Sequence, residues 1–320
     1  MIVEGVVRAS ASASADLPLA VGPQMMTKGG FVFIATIIAP EGHALSNGDL
    51  SRARDVVAGG VPRWVEAGVA ADVPFSGETA HVRAALEAAL PDHDVIVQIE
   101  AHRQRTLLVA DMDSTMITVE CIDELADYAG IKAEVAQVTE AAMRGELDFE
   151  GALRSRVALL KGLPETVIAD CLRERVQIMS GAKALVRTLK ANGGRAVLVS
   201  GGFTRFTEVV GPEIGFDRTV SNVLGISNGL LDGTVVGAIV GAQTKRETLL
   251  AERDALNLPV SAALAVGDGA NDIPMIEAAG LGVAYHAKPK TAAAAAANIR
   301  HGDLSAILYA MGFPQSAWVH

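Results

Sequence analysis

The sequence predicts an α/β protein built on a doubly wound, mostly parallel sheet, and two observations support this prediction. First, wholly apolar runs of four or five residues recur between turn signals, and such runs suit parallel strands that are covered on both faces. They are LLVA at 107–110, AVLV at 196–199, ALAV at 263–266 and LGVAY at 281–285. Second, helical patterns separate these runs, as in SGAKALVRTLKANGG at 180–194, and this alternation is typical of βαβ units.

The residues before the first of these runs divide into two segments. Residues 1–30 are predicted to form a flexible leader, because RASASASADLP is low in complexity and no charged start is followed by an apolar block. Residues 31–105 predict a small N-terminal α+β domain. Its expected elements are a buried strand at 31–40, helices at 50–59 and 77–90, and a half-exposed strand at 94–100. In this last strand Val95, Val97 and Ile99 recur at every second position and share one face.

Residues 117–179 interrupt the alternation of strands and helices after the first apolar run. They have helical periodicity and no strand pattern, so they predict a helical insert, which is called the cap from here on. The core of the protein would then consist of residues 106–116 and 180–320. Within this core, the Asn-Gly pair at 228–229 lies among apolar residues and predicts a β-hairpin.

Composition and charge exclude several classes of partner. The formal net charge is −10 and the pI is about 5.2, the wrong sign for a surface that binds nucleic acid or anionic lipid. No run of about 18 apolar residues offers a membrane span. Cys121 and Cys171 form no CxxC pair and have no metal-ligand spacing, so we expect them in the core of a cytoplasmic protein. The expected partner is a small molecule.

Polar residues come directly after three of the apolar runs, at the edge where a parallel sheet gathers its ligands. They are Asp111 and Asp113 after the first run, Ser200 and Gly201 after the second, and Asp268, Asn271 and Asp272 after the third. Two carboxylates spaced two residues apart repel each other unless a cation lies between them or one of them holds a proton. The helix dipole disfavours Lys245 in the first turn of a predicted helix unless the lysine faces an anion. Together these residues predict a phosphoryl-transfer site.

Each of these residues also has a simpler interpretation. Asp113 or Ser114 could cap the following helix, and Asp272 could cap the helix that Pro274 opens. Lys245 alone could be a solvated surface residue, and VSGGF could be a tight turn. The joint pattern favours a site, because caps and turns have no reason to fall in order on successive strand ends of one sheet.

The motifs DMDST, VSGGF, Lys245 and GDGAND resemble, in order and spacing, the four signature motifs of the haloacid dehalogenase-like hydrolases. The resemblance covers roughly residues 106–310 and includes the cap. The cap stretches ECIDEL, FEGALRSRV and LLKGLP are similar to those of bacterial members that act on O-phospho-L-serine. The resemblance therefore implies Mg²⁺-dependent hydrolysis of O-phospho-L-serine to L-serine and phosphate, the last step of serine biosynthesis.

The resemblance also implies how the strand ends would do this chemistry. Asp111 would attack phosphorus to form an aspartyl phosphate, and Asp113 would act as general acid and then as general base. Asp111, the main-chain carbonyl of Asp113 and Asp268 would bind Mg²⁺.

Five further core residues would bind the phosphate or orient the groups around it, by the same resemblance. The Ser200 hydroxyl, the Gly201 amide and Lys245 would bind phosphate oxygens. Asn271 would contact the same phosphate, and Asp272 would orient Lys245 or a metal-bound water.

Four cap residues would determine which substrate enters. By resemblance, Arg156 would bind the substrate carboxylate and Glu120 its ammonium group. Met143 and Phe149 would close the site against water. The simpler interpretations are a surface salt-bridge arginine, a helix-start glutamate and ordinary core residues.

Residues 31–105 are compatible with a ferredoxin-like regulatory domain of the ACT type, which senses amino acids. Some bacterial relatives have a domain that resembles this type. No ligand motif is visible there, and a packing or dimerisation role, giving a homodimer, is an equal alternative. Two other functions stay open. A phosphotransferase would pass phosphate to an alcohol such as homoserine at the same site, and a non-enzymatic regulator would only bind an amino acid.

Overall fold

The computed structural model describes residues 33–77, 79, 81–143 and 146–320, with the backbone alone at residues 142 and 143. The predicted leader at 1–30 and the side chain of Met143 lie outside the described residues.

The strands and helices of the described residues agree closely with the predicted core. The strands are β1 (Phe33–Ile38), β2 (Arg63–Glu66), β3 (Ala70–Phe75), β4 (Asp94–Ile99), β5 (Leu107–Ala110), β6 (Arg195–Phe203), β7 (Arg218–Ser227), β8 (Leu230–Val236), β9 (Ala263–Gly267), β10 (Leu281–Tyr285) and β11 (Ala297–Ile299). The helices are α1 (Asn47–Val57), α2 (Val82–Ala89), α3 (Cys121–Tyr128), α4 (Lys132–Met143), α5 (Phe149–Leu159), α6 (Thr166–Glu174), α7 (Ala182–Ala191), α8 (Thr204–Ile214), α9 (Ala242–Ala255), α10 (Ile273–Ala278), α11 (Pro289–Ala294) and α12 (Ala306–Met311).

One sheet holds all of these strands, in the order β2-β3-β1-β4-β11-β10-β9-β5-β6-β7-β8. The six strands from β11 to β7 are parallel, and β8 pairs antiparallel with β7 at the edge. The four predicted apolar runs form β5, β6, β9 and β10, and every residue of β5, β9 and β10 is buried. Full burial on both faces explains why these strands are apolar without alternation. The α/β core with a mostly parallel sheet is confirmed.

The cap contains α3 to α6 and, within its described part, no strand of the sheet. An isolated antiparallel bridge between Ile117 and Ile178 joins the two ends of the cap at its base. The predicted hairpin is the pair β7 and β8. Its turn residues Asn228 and Gly229 both have positive φ, 52° and 76°, as a type I′ turn requires.

The N-terminal strands and helices follow the order β1-α1-β2-β3-α2-β4. The strands pair antiparallel in the order β2-β3-β1-β4, which is the split βαβ topology of ferredoxin-like folds. The β2–β3 hairpin was not predicted, because alanines and Gly68 weaken the alternation of apolar and polar residues in this stretch. These strands continue the sheet of the core, since β4 pairs with β11.

The prediction of a half-exposed strand at 94–100 is wrong. Val95 packs with α1 and α2 on one face of β4, but Ile96 on the opposite face is also buried, in the main core that includes α12. Gln98, on the same face as Ile96, donates a hydrogen bond to the carbonyl of Ala310 in α12 at 2.8 Å. A helix about two hundred residues further along the chain covers this face, so local periodicity could not show its burial.

Arg103 fixes the contact between α12 and the N-terminal strands. Its guanidinium donates to both carboxylate oxygens of Asp72, at 2.7 and 3.2 Å. It also donates to the carbonyls of Tyr309 and Ala310, both at 3.1 Å. Asp72 is buried, so the guanidinium satisfies a charge that would otherwise be costly in this position.

The two cysteines lie in two helices of the cap. Cys121 in α3 and Cys171 in α6 are free and buried, as predicted for core residues. Among the described residues, no helix has the length and apolar character needed to cross a membrane.

Candidate active site

Strand β5 ends at Ala110, so Asp111 is the first residue beyond it at the carboxyl edge of the sheet. The Oδ1 atom of Asp111 accepts the N–H of Met112 at 2.8 Å, and no described group hydrogen-bonds to Oδ2. Burial and the neighbouring Asp272 carboxylate raise the pKa of Asp111, and Lys245 acts in the opposite direction. One carboxylate oxygen of Asp111 is therefore held in place, while the other has no hydrogen-bond partner in the described part of the chain.

Lys245 is completely buried between two carboxylates. Its Nζ lies 2.6 Å from Oδ1 of Asp111 and donates to Oδ1 of Asp272 at 2.7 Å. Burial alone would lower the pKa of Lys245, but the two carboxylates outweigh burial and raise it above its ordinary value. The lysine is therefore charged, and its interpretation as a solvated surface residue is wrong. The carboxylate of Asp272 also accepts the N–H of Gly269, at 2.9 Å, and makes no side-chain cap for α10.

Asp111, Asp268 and Asp272 each place one carboxylate oxygen within 4.8 Å of the other two. The Thr115 hydroxyl donates to Oδ1 of Asp268 at 3.2 Å, and burial together with the Asp272 charge raises the pKa of Asp268 to about 6. The main-chain carbonyl of Asp113 accepts no hydrogen bond from the described residues. A set of converging hard oxygen donors fits a divalent cation, whose charge would relieve their mutual repulsion.

The Asp113 side chain lies in a tight, poorly solvated position. Its Oδ1 is buried and has no hydrogen-bond partner among the described residues. Burial and the Glu120 carboxylate raise the pKa of Asp113 to about 7. A Cβ on Gly202 would lie 2.9 Å from Oδ2 of Asp113, so a side chain there would displace this carboxylate. A carboxyl group with a pKa near neutrality can both donate and accept a proton at physiological pH.

Strand β6 continues through the VSGGF motif, so the interpretation of this motif as a tight turn is wrong. The Ser200 hydroxyl is buried, and its oxygen accepts the N–H of Gly202 at 2.8 Å. The hydroxyl hydrogen is therefore available to another acceptor. A Cβ on Gly201 would lie 3.3 Å from the ring of Phe149, so the absence of a side chain here lets the cap approach the strand end.

The cap and the strand ends enclose a cavity of about 490 Å³. From the core it is lined by Asp111, Asp113, Gly201, Asp268 and Asn271, and from the cap by Glu120, Phe149 and Arg156, among others. The structure thus brings these predicted core and cap residues to one cavity. Lys245 and Asp272 join them through the ion pairs of Lys245, whereas Ser200 is buried and not part of the cavity lining, and the side chain of Met143 is not described.

Two charged cap residues face this cavity without neutralising each other in an ion pair. Arg156 makes no ion pair within the described ranges, and its Nε donates only to the carbonyl of Ala152, at 3.4 Å. Its interpretation as a surface salt-bridge arginine is therefore wrong for the described residues. The Ser114 hydroxyl donates to Oε1 of Glu120 at 2.7 Å, and Phe149 is 40% exposed, unlike an ordinary core residue.

Three residues of this region were missed by sequence reasoning. Thr115 belongs to the DMDST motif, but only the fold brings it to Asp268. Lys288 follows β10 and lines the cavity, so its place shortly after the fourth apolar run was its signal in the sequence. Asn222 lies in β7 beside Ser221, and nothing in the local sequence of this strand marks it as a site residue.

The fold and the site define a class of protein. The protein has a doubly wound α/β core with a carboxylate–lysine cluster at the strand ends, and an inserted helical cap closes the cavity beside this cluster. The profile of the haloacid dehalogenase-like hydrolases matches residues 106–280, more than half of the chain, and the chain belongs to this family.

Similar proteins and solved structures extend this comparison. The chain is 48% identical over 202 residues to the phosphoserine phosphatase of Vibrio cholerae, which covers 63% of this chain and 61% of that protein. The crystal structure of a probable phosphoserine phosphatase from Vibrio cholerae, in unliganded form, matches with a TM-score of 0.71 at 37% identity, over 88% of this chain and 87% of the other. A structure described as a phospho-aspartyl intermediate analogue of phosphoserine phosphatase matches with a TM-score of 0.60 at 37% identity, over 64% and 98%.

Proposed function

We propose that the protein is a Mg²⁺-dependent phosphatase that hydrolyses O-phospho-L-serine through an aspartyl phosphate on Asp111. The main support is that one cavity joins two kinds of groups. The strand ends offer groups suited to phosphate and a metal ion. The cap offers a glutamate and an arginine that makes no ion pair with any described residue, and both are suited to an amino acid. The relatives described as phosphoserine phosphatases support the choice of substrate, and the phospho-aspartyl analogue supports the intermediate.

In the first step, Oδ2 of Asp111 attacks phosphorus while Lys245 and the Met112 amide hold Oδ1. The bond between phosphorus and the serine oxygen breaks, and protonated Asp113 gives its proton to that oxygen. In the second step, a water molecule attacks the phosphoryl group and gives its proton back to Asp113. The bond to Asp111 breaks, and phosphate leaves. A pKa near 7 at Asp113 supports both proton transfers.

The phosphate oxygens would be held by donors at neighbouring strand ends. Ser200 supplies a hydroxyl whose hydrogen is free, the Gly201 amide supplies an N–H, and Lys245 supplies a positive charge. Asn271 lines the cavity on the same side and would contact the phosphate. Asp272 would keep Lys245 in place through their 2.7 Å hydrogen bond.

The carboxylates of Asp111 and Asp268 and the main-chain carbonyl of Asp113 would hold Mg²⁺. Bound there, the ion would neutralise phosphate charge and act as a Lewis acid toward the phosphoryl group. Asp272 lies close enough to contribute to the same negative field, although its carboxylate is already engaged by Lys245.

The cap would provide selectivity. Arg156 would bind the substrate carboxylate as a planar donor, and Glu120 would bind the ammonium group. Phe149, whose ring lies against Gly201 and Gly241, would close the cavity against water, together with Met143.

Phosphate release from a panel of phosphomonoesters tests the activity. We expect O-phospho-L-serine to be hydrolysed with a higher kcat/KM than p-nitrophenyl phosphate or phosphorylated sugars. Excess EDTA should abolish turnover, and added Mg²⁺ should restore it, because Lys245 alone leaves the three converging carboxylates with a net negative charge that repels a phosphate. A preference for a sugar phosphate would contradict the proposed substrate. Homoserine added to the assay should not reduce phosphate release; transfer to homoserine would indicate a phosphotransferase instead.

Replacement of Arg156 tests the recognition of the amino acid. Arg156→Ala should lower kcat/KM for phosphoserine by about 30- to 3,000-fold, since truncating one partner of a closed, charge-paired contact costs about 2–5 kcal/mol. Hydrolysis of p-nitrophenyl phosphate should change far less. Arg154→Ala is the matched control, because Arg154 lies on the same helix and pairs with Glu150 on the exposed side. Equal losses on both substrates would mean that Arg156 serves the fold or the phosphate.

Three further proposals concern the role of the N-terminal strands, the cellular location and the oligomeric state. The split βαβ topology supports an ACT-type regulatory domain, and packing or dimerisation is the alternative role. The exposed edge of β2, with Trp64 and nearby Val61, supports a homodimer. We also propose a cytoplasmic location, which suits free, buried cysteines.

A further inference from the structure

Asn222 on β7 connects two parts of the proposed site, although it does not line the cavity itself. Its side chain is 1% exposed, and both ends of its amide are engaged. Nδ2 donates to the carbonyl of Gly201 at 2.8 Å and more weakly to the carbonyl of Val240 at 3.4 Å. Oδ1 accepts the N–H of Val240 at 2.8 Å. A buried amide with this many protein partners holds the segments it joins in one arrangement.

The contact with Gly201 fixes the position of the Ser200 hydroxyl. The Gly201 carbonyl and the Gly202 N–H belong to the same planar peptide group, so holding the carbonyl also sets the direction of the N–H. That N–H donates to Oγ of Ser200 at 2.8 Å. With one lone pair of its oxygen engaged in this way, the buried serine hydroxyl is held in one position and keeps its hydrogen for another acceptor.

The contact with Val240 fixes the start of α9, the helix that carries Lys245. Gly241 precedes the first residue of this helix, and its carbonyl accepts the N–H of Lys245 at 3.1 Å. A rotation of the peptide between Val240 and Gly241 would therefore shift the first turn of α9. Asn222 opposes this rotation through the Val240 carbonyl, at 3.4 Å, and it holds the preceding peptide through the Val240 N–H, at 2.8 Å.

We propose that Asn222 is a positioning residue for phosphoryl transfer: it aligns the Ser200 hydroxyl and the start of the Lys245 helix relative to each other. An asparagine is required because the position needs a donor for the carbonyls of Gly201 and Val240 and an acceptor for the Val240 N–H. The inference rests on the proposed phosphatase site, and it is independent of which phosphomonoester is the natural substrate.

A double-mutant cycle with Ser200 tests this proposal in the full-length protein. Asn222→Ala should lower kcat for phosphoserine and for p-nitrophenyl phosphate by about 10- to 100-fold, as is typical for residues that orient a catalytic group. The KM for phosphoserine should change by less than about 3-fold, because the cap binds the amino-acid part of the substrate. In the Ser200→Ala background, the same Asn222 substitution should cost at most about 5-fold more, since one of the two groups that it aligns is gone.

Two further variants keep the test decisive. Asn222→Asp is nearly isosteric and keeps the acceptor for Val240, but it loses the donor to Gly201, so it should show the same kcat loss and the same coupling to Ser200. Ser221→Ala is the matched control, since Ser221 precedes Asn222 on β7 and hydrogen-bonds to Thr207 away from the cavity. Its kcat should stay near that of the wild type.

Equal losses for the Asn222 substitutions with and without the Ser200 hydroxyl would overturn the positioning role and leave Asn222 as a purely structural residue. Unchanged kcat in both Asn222 variants would overturn it as well. A wild-type protein that hydrolyses neither ester would contradict the proposed function instead, so the two failures are distinguishable.

Discussion

Asp111→Asn should abolish turnover of phosphoserine while the protein remains folded. We expect kcat to fall by about 10⁴-fold or more, as is usual when a covalent nucleophile is removed. An amide is a poor nucleophile, but its oxygen can still accept hydrogen bonds from Lys245 and from the Met112 amide. Intact-protein mass spectrometry after rapid quenching should detect one added phosphoryl group in the wild type and none in the variant.

Asp94→Asn is the matched control for this experiment. Asp94 is also a buried aspartate that accepts backbone N–H groups, from Arg300 and Gly302, but it lies at the start of β4 and does not line the cavity. Its substitution should lower the free energy of unfolding without a comparable loss of kcat. A phosphoryl group trapped on any residue other than Asp111 would contradict the proposed nucleophile.

Lys245→Met should impair both catalysis and stability. The substitution leaves Asp111 and Asp272 buried without their cation, and breaking a buried ion pair in this way costs about 3–5 kcal/mol. It also removes a positive charge from the phosphate site, which should lower kcat by about 10²- to 10³-fold. Urea denaturation and turnover measured on the folded fraction test the two effects separately.

The loss of stability in this variant should depend on pH. Without the ammonium group, the pKa of the buried Asp111 carboxyl in the folded state rises further above its unfolded value. The destabilisation is therefore fully developed above the folded-state pKa and becomes smaller as the pH falls toward the unfolded value. Lys183→Met is the matched control, because Lys183 pairs with Glu213 on the surface and should contribute no more than about 1 kcal/mol. An equal loss in both variants would contradict the buried-charge explanation.

The strand ends could be predicted from the sequence because a parallel, fully buried strand has a simple local signature. Its apolar run stops where the chain reaches the edge of the sheet, so Asp111 and Asp268 mark the edge by position alone. Ser200 follows an apolar run in the same way, although β6 continues to Phe203. Lys245 follows no strand, and its signal was a different one, its unfavourable place in the first turn of a helix. Its two carboxylate partners follow strand ends that are far apart in sequence, and the sheet order brings them together.

Other features could not be predicted because their cause lies elsewhere in the chain. The second face of β4 is buried by α12, so its own alternation was misleading. The β2–β3 hairpin contains small residues whose strand propensity is weak, and pairing with β1 stabilises it. Asn222 lacked any motif, since its importance depends on two backbone segments that only the folded chain places beside it.

The contact of α12 with the N-terminal strands has a thermodynamic consequence. Arg103 and Gln98 attach this last helix to strands at the beginning of the described chain, and the same helix packs into the core that supports β5. If either the N-terminal strands or the core that includes β5 unfolded alone, the part that remained folded would expose apolar surface and unpaired polar groups. Heating should therefore disrupt both halves in one cooperative transition, and the N-terminal strands behave as part of the enzyme's stability and not as a removable appendage.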